Sequence, residues 1–464
     1  MGLRLTVTII ISKIIMRVLR ILKRGGTTLP GKIALKLYPS IATVFSKNFR
    51  IIMVTGTNGK TTTSRIIGEI LSENNIKYIA NKSGANLPKG IVSTFIESVN
   101  IFGNCDASTA LFEIDEAAFY GMCNFMEPDV LVVTNFFRDQ LDRFGELYTT
   151  LNAVKNGINK LKNTTLVLNA DDSLCASLSK DQNRKTVFFG MDKKVCVYND
   201  DSAVSDALFC ISCGNKYEYE SRTYGHLGWF KCTDCGYSRP YAKVACTNIR
   251  ELKPTYSTID FTIECSNEEL LYTAKINLPG LYNIYNALAA VALSTVLDIP
   301  AEMVVNALSS FESGFGRMET IETDGKYIKV ILVKNPTGFN QVLNYLLTEE
   351  KQFQIVFAIN DNIADGTDIS WLWDVDFEKL SKITDSIDMM YTTGTRAEDM
   401  AVRLKYGDLD MEKIKVIKDY NELINTALLS MSTDHCLYIL PTYTAMLEIR
   451  DLLKNKYDLK EFWK

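Results

Sequence analysis

The sequence has few of the residues on which several familiar chemistries depend. Among its 464 residues there are only two histidines, His226 and His435, and neither lies beside a cysteine on a plausible sharp turn. A cysteine hydrolase needs both a nucleophilic cysteine and a histidine base, so the chain cannot hold a complete cysteine–histidine–acid triad. The net charge of −4 gives no indication of nucleic-acid binding.

Long apolar runs are also missing. The most apolar stretch, "LRLTVTIIISKIIMRVLRILKR", is interrupted by Lys13 and Arg17 well short of the ~20 residues that a spanning helix needs, and no small-residue cleavage site follows. Its pattern predicts an amphipathic basic helix, which either packs on the body of the protein or also makes a peripheral contact with an anionic membrane surface. The apolar positions behind this prediction are Ile11, Ile14, Ile15, Val18, Leu19 and Leu22.

Eleven cysteines occur without a cleavable signal sequence. This usage is typical of a reducing compartment, where cysteines are free, catalytic or metal-bound, and it predicts a cytoplasmic protein. The length allows two to four domains.

From residue 51 onward, short apolar strands alternate with helical segments, which predicts an α/β fold with parallel sheets. The predicted strands include "RIIMVTG", "TALFEID", "PDVLVVTNF" and "TTLVLNADD". Between about 186 and 276 the sequence becomes aromatic, Thr-rich and punctuated by cysteine, which predicts a β-rich insertion. A second alternating region begins near residue 320 and contains "YIKVILV", "FQIVFAI", "MMYTTG", "IKVI" and "HCLYILP".

The strongest local motif is "VTGTNGKTTTS", residues 54 to 64, a glycine-rich turn between a strand and a helix. Backbone N–H groups of such a turn bind phosphate; Lys60 can reach the β and γ phosphates and Thr61 can bind Mg²⁺. The spacing departs from the common phosphate-loop pattern because Gly56 lies only three residues before Gly59. The residues predicted to contact nucleotide here are Gly56, Thr57, Asn58, Gly59, Lys60, Thr61 and Thr62.

Two C-x-x-C pairs, Cys210 with Cys213 and Cys232 with Cys235, are each followed by glycine. Four thiolates at this spacing can close a tetrahedral Zn²⁺ site without an open position, which predicts a structural zinc ribbon. His226 lies between the two pairs, and we expect it to be an incidental loop residue.

The phosphate loop and several later motifs together resemble the Mur ligase family, which includes folylpolyglutamate synthetase. The resemblance implies ATP as cofactor, Glu113 of "FEIDE" as a Mg²⁺ ligand with Glu116 nearby, and Asn169 and Asp172 of "LNADD" as nucleoside contacts; a turn-forming N-A-D-D would look much the same. "TNFFRDQLDRFG" keeps Asn135, Asp139 and Asp142 of the family pattern, with Gln140 in place of the histidine that the family uses for a metal contact. "LPGLYNIYNALAA" and "GFGRME" supply Asn283, Asn286 and Arg317, and the resemblance implies that Asn283 and Arg317 contact the nucleotide.

Two departures from the family pattern indicate which group within the family the chain resembles. The phosphate loop begins by residue 55, which leaves no room for the family's usual nucleotide-gripping first domain, and "LVKNPTGFN", with Lys334, Asn335 and Pro336, replaces the amino-acid acceptor stretch. The resemblance is greatest to the MurT group, the synthetase subunits of lipid II isoglutaminyl synthase. It implies three parts: an amphipathic helical segment (1–48), a Mur ligase-type central ATP-binding domain (49–316) with the zinc ribbon inserted at about 205–245, and a smaller Rossmann-like, partner-binding C-terminal α/β domain (317–464).

For the polar loop "INDNIADGTDISWLWD", residues 359 to 374, the resemblance implies a further role. Its Asp368 would complete, across a subunit interface, a catalytic triad whose cysteine and histidine belong to a GatD-type glutamine amidotransferase partner. The alternative is a capping or turn aspartate.

The implied activity is ATP-dependent amidation of D-isoglutamate in the stem peptide of lipid II through an acyl phosphate, with Lys60, Glu113 and Asp368 as the catalytic residues. A stand-alone amide ligase of the folylpolyglutamate type and a non-catalytic nucleotide-binding scaffold are the alternatives. The altered "LVKNP" segment argues against the first, and intact Lys60 and Glu113 argue against the second.

Overall fold

The structure is a computed structural model. It describes residues 2–21, 28–81, 85–139, 147–180, 183–195, 206–265, 268–311 and 317–457, with residues 317 and 318 described through their backbone alone.

A nine-stranded sheet forms the centre of the first two thirds of the chain. The strand order is β11-β10-β9-β6-β5-β4-β1-β3-β2; pairings from β2 to β9 are parallel, whereas β10 pairs antiparallel with both β9 and β11. Strands such as β4 are apolar and buried on both faces, as parallel strands covered by helices must be. The strands are β1 Arg50–Thr55, β2 Tyr78–Ala80, β3 Thr109–Glu113, β4 Val130–Val133, β5 Thr165–Asn169, β6 Thr186–Met191, β9 Val244–Leu252, β10 Ser257–Cys265 and β11 Glu268–Ile276.

Helices cover both faces of this sheet and create two apolar cores. One core lies under α4 and α9, and the other lies under α5 and α7. The helices of this part are α1 Leu3–Ile21, α2 Leu29–Leu37, α3 Ile41–Ser46, α4 Lys60–Glu73, α5 Pro88–Ser98, α6 Glu116–Met122, α7 Leu147–Lys160, α8 Ser173–Ser177, α9 Leu281–Val296 and α10 Ala301–Ser310.

A small separate hairpin stands between β6 and β9. It consists of β7 Glu218–Tyr224 and β8 Leu227–Lys231, paired antiparallel. The four cysteines of the C-x-x-C pairs lie just outside its two ends.

The last third of the chain forms a six-stranded sheet with the order β12-β13-β17-β14-β15-β16, parallel except for the β12–β13 pair. Three 3-10 helices, Ser370–Asp374, Phe377–Ser386 and Met411–Lys413, connect its strands. The strands are β12 Arg317–Thr323, β13 Lys326–Ile331, β14 Phe353–Ala358, β15 Ile387–Thr393, β16 Ile414–Val416 and β17 Cys436–Pro441; the helices are α11 Pro336–Leu346, α12 Ala397–Tyr406, α13 Tyr420–Ser430 and α14 Tyr443–Tyr457.

The basic helix α1 packs on the body of the protein. Leu5 and Ile9 are buried in the same core as Ile91 and Phe95 of α5. Of the six apolar positions behind the prediction, Ile15 and Leu19 are half-buried, whereas Ile11, Ile14 and Val18 are exposed; Leu22 lies outside the described residues. Among the described residues, no helix combines the length and apolarity needed to cross a membrane.

The predicted α/β class is confirmed, and each strand predicted in the two alternating regions is present. Two short or peripheral strands, β2 and β12, were not predicted. The β-rich insertion predicted at about 186–276 is wrong in extent: β6, β9, β10 and β11 belong to the nine-stranded sheet, and only the β7–β8 hairpin forms a sheet of its own. The predicted boundary between residues 316 and 317 adjoins residues 312–316, which lie outside the described residues, so this boundary stays a prediction.

Replacing Ile9 by alanine tests how firmly α1 is anchored. Ile9 is fully buried, so Ile9→Ala should lower the free energy of unfolding by about 2–5 kcal/mol through lost burial and a residual cavity. Ile14→Ala is the matched control, because Ile14 is 54% exposed on the opposite side of the helix and its loss should change little. Urea unfolding followed by circular dichroism measures both; equal effects would contradict the packing.

Candidate active site

The loop at residues 56–59, between β1 and α4, has a backbone that only glycine accommodates at two positions. Gly56 has φ +122° and Gly59 has φ +85°. A Cβ on Gly59 would stand 2.0 Å from Oδ1 of Asn286, and one on Gly56 would stand 2.3 Å from Oγ1 of Thr134. The N–H groups of Thr57 and Asn58 donate to Asn135, so this tight shape leaves an anion the N–H groups at the start of α4, where the helix dipole favours negative charge.

The segment after β4 grips this loop from the side. Asn135 accepts a hydrogen bond from the N–H of Asn58 (2.9 Å) and donates one to its carbonyl oxygen (3.1 Å). Thr134 donates to the same carbonyl oxygen (2.7 Å), and the N–H of Phe137 donates to the Thr57 hydroxyl (3.1 Å). Asn135, retained from the family pattern, thus fixes the loop conformation through its side-chain amide.

Lys60 is buried at the first turn of α4 and faces a cluster of acids. Its Nζ donates to Glu116 Oε2 (2.9 Å) and to the carbonyl oxygens of Gly56 (2.6 Å) and Thr57 (3.3 Å). Burial alone would lower the pKa of Lys60, but the charges of Glu116 and its acidic neighbours outweigh burial and raise it. Burial, reinforced by Glu116, raises the pKa of the adjacent Asp115. Lys60 is therefore a fixed positive charge at the mouth of the loop.

Thr61 and Glu113 form a second functional pair. The Thr61 hydroxyl donates to Glu113 Oε2 at 2.7 Å, which brings the first turn of α4 to the carboxyl end of β3. Mg²⁺ binds oxygen ligands at about 2.0–2.1 Å, so two adjacent ligand oxygens stand about 3 Å apart. Two oxygens at this separation fit neighbouring positions of one Mg²⁺ ion.

The six-stranded unit reaches into the same site through the "LVKNP" segment. Lys334 Nζ lies 2.6 Å from Asp139 Oδ2, and Asn335 donates to the side-chain oxygen of Asn58 at 3.0 Å. Asn335 also caps α11 by accepting from the N–H of Gly338 (2.8 Å). Because one residue both starts α11 and contacts the phosphate loop, the two units meet at the loop itself.

A cavity of about 300 Å³ opens between the two units next to this junction. One wall contains Gly280 and Leu281 at the start of α9, and the other contains Thr337, Asn340 and Trp373. This volume is at the lower end of small-molecule sites. The lining combines apolar and amide side chains with charged ones, among them Asp374, Lys379 and Arg403.

Asn283 and Asn286 connect the start of α9 with the loop. Asn286 accepts from the Thr63 hydroxyl (3.3 Å) and donates to Oδ1 of Asn283 (3.1 Å), which itself donates to the Pro279 carbonyl oxygen (2.7 Å). Both asparagines are buried, so in this arrangement they order α9 against the loop.

Asn169 and Asp172 lie behind the loop and are fully buried. Asp172 accepts from the N–H groups of Leu174 (2.9 Å) and Phe136 (2.7 Å), so it both begins α8 and holds the segment that grips the loop. Asn169 donates to the carbonyl oxygen of Thr134 (3.1 Å). Their predicted nucleoside contact stays a prediction; the contacts present are those of the turn-forming alternative.

The four cysteines of the C-x-x-C pairs converge as their spacing predicts. All four Sγ atoms lie within 4.8 Å of one another, and this is the one such group in the described chain. Gly214 and Gly236 have φ +80° and +77°, which completes two equivalent turns after Cys213 and Cys235. Thiolates about 2.3 Å from a tetrahedral ion stand about 3.8 Å apart, so the cluster fits a closed metal site.

His226, at the turn between β7 and β8, is more than an incidental loop residue. Its ring is fully buried, lies 4.6 Å from the ring of Phe137, and places Nε2 3.3 Å from Asp172 Oδ1. The sequence alone does not indicate this position, because the contact between His226 and Asp172 depends on how the ribbon folds back on α8.

The polar loop 359–374 begins at the carboxyl end of β14. Asn360 and Asp365 fasten it to the neighbouring strand ends: Asn360 accepts from the N–H of Thr395 (2.9 Å), and Asp365 accepts from that of Thr444 (2.7 Å). Asp368 is half-buried and accepts from the N–H of Ser370 at 2.8 Å. Asp368 therefore has the geometry of a turn aspartate. The loop around it is held in place by the hydrogen bonds of Asn360 and Asp365.

Two family profiles match the chain: "Mur ligase middle domain" over residues 54–227 and "MurT ligase C-terminal" over residues 332–446. A protein of Streptococcus pneumoniae named lipid II isoglutaminyl synthase (glutamine-hydrolyzing) subunit MurT is 35% identical over 93% of this chain and 93% of its own length. Its namesake from Staphylococcus aureus is 33% identical over 97% of each chain. The chain belongs to the MurT family of Mur ligases.

Solved structures agree with the fold of that family. A pseudomurein peptide ligase type C from Methanothermus fervidus superimposes with a TM-score of 0.63 at 23% identity, over 88% of this chain and 79% of its own. MurF from Acinetobacter baumannii superimposes with a TM-score of 0.65 at 18% identity, over 90% of this chain and 80% of its own. The predicted Mur ligase-type fold is thereby confirmed.

Membership in the MurT family makes the chain a ligase, in a family that uses ATP with Mg²⁺. The names of both relatives call them subunits, which implies an assembly with a further chain.

Three residues from the predicted motifs cannot be placed. Gln140 and Asp142 lie outside the described residues, and the side chain of Arg317 does as well. The arginine role and the effect of Gln140 stay predictions.

His435 and Cys436 are neighbours in the chain. His435 Nδ1 lies 3.1 Å from Asp388 Oδ2. The adjacent Cys436 is buried, and burial raises the pKa of its thiol to about 12. A thiol with this pKa is protonated near neutral pH and is a poor nucleophile.

The Lys60–Glu116 pair can be tested by removing one partner or both. Lys60→Ala leaves a buried carboxylate unpaired and should lower the free energy of unfolding by about 3–5 kcal/mol. Adding Glu116→Gln to it should recover most of that loss, with Glu116→Gln alone as the control. MgATP should raise the unfolding temperature of the wild type and of neither Lys60 variant. Thermal unfolding is measured for the wild type, the two single variants and the double variant. Stabilisation of the double variant by MgATP would exclude Lys60 as a phosphate contact.

Proposed function

We propose that the chain is the synthetase subunit of a glutamine-hydrolysing lipid II isoglutaminyl synthase. It would use ATP to activate the α-carboxylate of D-isoglutamate in the stem peptide, which ammonia from a GatD-type partner then converts to the amide. The observation that carries the proposal is the convergence of Lys60, Thr61 and Glu113 on one anion-binding loop. The free state of the described cysteines supports a reducing, cytoplasmic location.

In this proposal the N–H groups at the start of α4, together with Lys60, hold the ATP phosphates. Lys60 Nζ now donates to the Gly56 and Thr57 carbonyl oxygens, so it would exchange one of these hydrogen bonds for a phosphate oxygen while keeping Glu116. Thr61 and Glu113 would hold Mg²⁺, which neutralises charge on the phosphates.

The chemistry would proceed in two displacements. A carboxylate oxygen of the substrate attacks the γ-phosphorus and ADP leaves, giving an acyl phosphate. The nitrogen lone pair of ammonia then attacks the carbonyl carbon, phosphate leaves with the C–O bonding electrons, and the nitrogen loses a proton. Lys334, held 2.6 Å from Asp139 beside the loop, supplies a second cation suited to the anionic substrates.

The nucleoside part of ATP would occupy the 300 Å³ cavity between the two units. This position is supported by its neighbours: Gly280 and Leu281 start the helix whose Asn286 contacts the loop, and Thr337 follows the segment whose Asn335 contacts Asn58. A nucleotide bound there would contact both units.

Ammonia would come from the partner, because the described part of this chain offers no activated cysteine next to a histidine. Asp368 would complete the partner's triad by orienting its histidine and stabilising the charged imidazolium. The Ser370 hydrogen bond occupies only Oδ1 of Asp368, which leaves Oδ2 available for that contact in the described structure.

The cysteine cluster would bind Zn²⁺ as a structural ion. Support comes from four thiols within 4.8 Å of one another and from the packing of the ribbon on α8, where the Tyr237 hydroxyl donates to the Ser173 carbonyl oxygen (2.7 Å). Since α8 begins at Asp172, the ion would support the segment that grips the phosphate loop.

The substitution Asp368→Asn distinguishes a role of Asp368 in the partner's triad from a role in the turn alone. Asparagine keeps the side-chain oxygen that accepts from Ser370 but loses the charge that a histidine partner needs. We expect glutamine-driven amidation of lipid II to fall by about 10²–10⁴-fold, with the ammonium-driven reaction unchanged. Mass spectrometry of the amide product, with the partner present, measures the glutamine-driven and the ammonium-driven reactions separately.

The control for this experiment is Asp408→Asn, an exposed aspartate with φ 56° in the same unit, where asparagine fits equally well. It should leave both reactions intact. If Asp368→Asn keeps its glutamine-driven activity, Asp368 is a turn residue only.

The zinc assignment predicts one bound Zn²⁺ per chain, which elemental analysis measures. Cys213→Ser removes one ligand and should abolish stoichiometric zinc and lower the thermal unfolding temperature, because three protein ligands no longer close the site. Cys265→Ser, which changes an exposed cysteine outside the cluster, should do neither. Equal zinc content in both variants would contradict the assignment.

A further inference from the structure

Helix α1 has an apolar face that the rest of the described chain leaves uncovered. Leu3, Val7, Ile10, Ile14, Val18 and Ile21 are all exposed, from 39% at Ile10 to 82% at Leu3. Their spacing of three and four residues places them on one stripe, and the buried Leu5 and Ile9 lie on the opposite side. Single exposed apolar residues are ordinary, but a continuous stripe over five turns indicates a binding surface.

The surroundings of this stripe are strongly basic. The first 48 residues contain nine Lys or Arg and no Asp or Glu, although acidic residues outnumber basic ones in the whole chain, 55 to 51. Helical geometry places Lys13, Arg17 and Arg20 along one flank of the stripe and Arg4 along the other. Lys32 and Lys36, on the adjoining α2, are also exposed.

Contacts with the body hold this arrangement in place. Arg4 Nε donates to the carbonyl oxygen of Leu37 (3.0 Å), Lys13 Nζ donates to that of Glu97 (3.4 Å), and Arg20 forms an ion pair with the Glu97 carboxylate. Since the inner face of α1 is buried, only its outer half is available to a ligand. That ligand must be apolar at its centre and negative at its edges.

We infer that α1 lies in the plane of an anionic phospholipid surface, with the stripe in the acyl boundary and the arginines and lysines at the headgroups. A membrane surface matches both properties, and the helix is about 28 Å long at 1.5 Å per residue, which gives an extended shallow contact. A second copy of the chain fits less well, because pairing the stripes would bring two positive flanks together. The inference goes beyond the proposed function and does not require it, although a lipid-linked substrate would be reached from such a surface.

Vesicle flotation of the full chain tests the inference without ATP, partner or substrate. The wild type should float with vesicles of equal parts phosphatidylcholine and phosphatidylglycerol, and about tenfold less with phosphatidylcholine alone. The triple variant Ile10→Ser, Ile14→Ser, Val18→Ser should lose at least about tenfold of the binding to anionic vesicles. Its unfolding temperature should stay unchanged, because these side chains are exposed.

The matched control is Leu271→Ser with Leu429→Ser, which removes two apolar side chains that are 64% and 85% exposed elsewhere on the surface. It should bind vesicles as the wild type does. The inference is overturned if the wild type does not float with anionic vesicles, or if the stripe variant and the control bind equally. Sedimentation showing a dimer that only the stripe variant disrupts, without flotation, would assign the stripe to self-association instead.

The proposed function has a separate readout. Ammonium-driven amidation of lipid II dispersed in detergent needs no vesicle, so the stripe variant should retain it. Failure of this reaction in the wild type would contradict the proposed function and leave the vesicle result standing.

Discussion

The grip of the segment after β4 on the phosphate loop is the interaction on which the site depends. A glycine-rich loop is conformationally free by itself, and ordering it costs free energy. Here Asn135 satisfies both backbone groups of Asn58, and Thr134 adds a third hydrogen bond, so the loop is ordered before any anion arrives. Preorganisation of this kind lets the N–H groups at the start of α4 stabilise charge without further rearrangement.

Buried polar groups extend this support away from the loop. Asp172 holds the N–H of Phe136 and begins α8, and the ribbon packs on α8 through Tyr237. The adjacent Asp171 accepts from Arg239 Nε (2.6 Å) and from the Tyr285 hydroxyl (2.7 Å), which connects the ribbon to α9. The ribbon thus behaves as a support for the phosphate loop, although it contributes no residue to the loop.

The six-stranded unit carries two polar regions with different contacts. The segment at Lys334 and Asn335 touches the phosphate loop and Asp139. The loop at 359–374 instead is fastened to the carboxyl ends of β15 and β17, where open α/β sheets present ligand-binding loops. The two polar regions therefore lie at different places on the same unit.

The sequence by itself determined the α/β class, the phosphate loop with Lys60 and Thr61, and the paired C-x-x-C turns. Each of these depends on neighbouring residues, so local spacing and strand patterning are enough to predict it. Only the tertiary structure decided which face of α1 is buried, that His226 meets Asp172, and that Asn335 reaches Asn58. Those contacts join residues far apart in the chain, and hydrophobic periodicity identifies an amphipathic helix without saying which surface will cover it. The same applies to Asn169 and Asp172, whose motif suits a turn or a ligand contact equally well, and whose hydrogen-bond partners are set by how β4, β5 and α8 pack together.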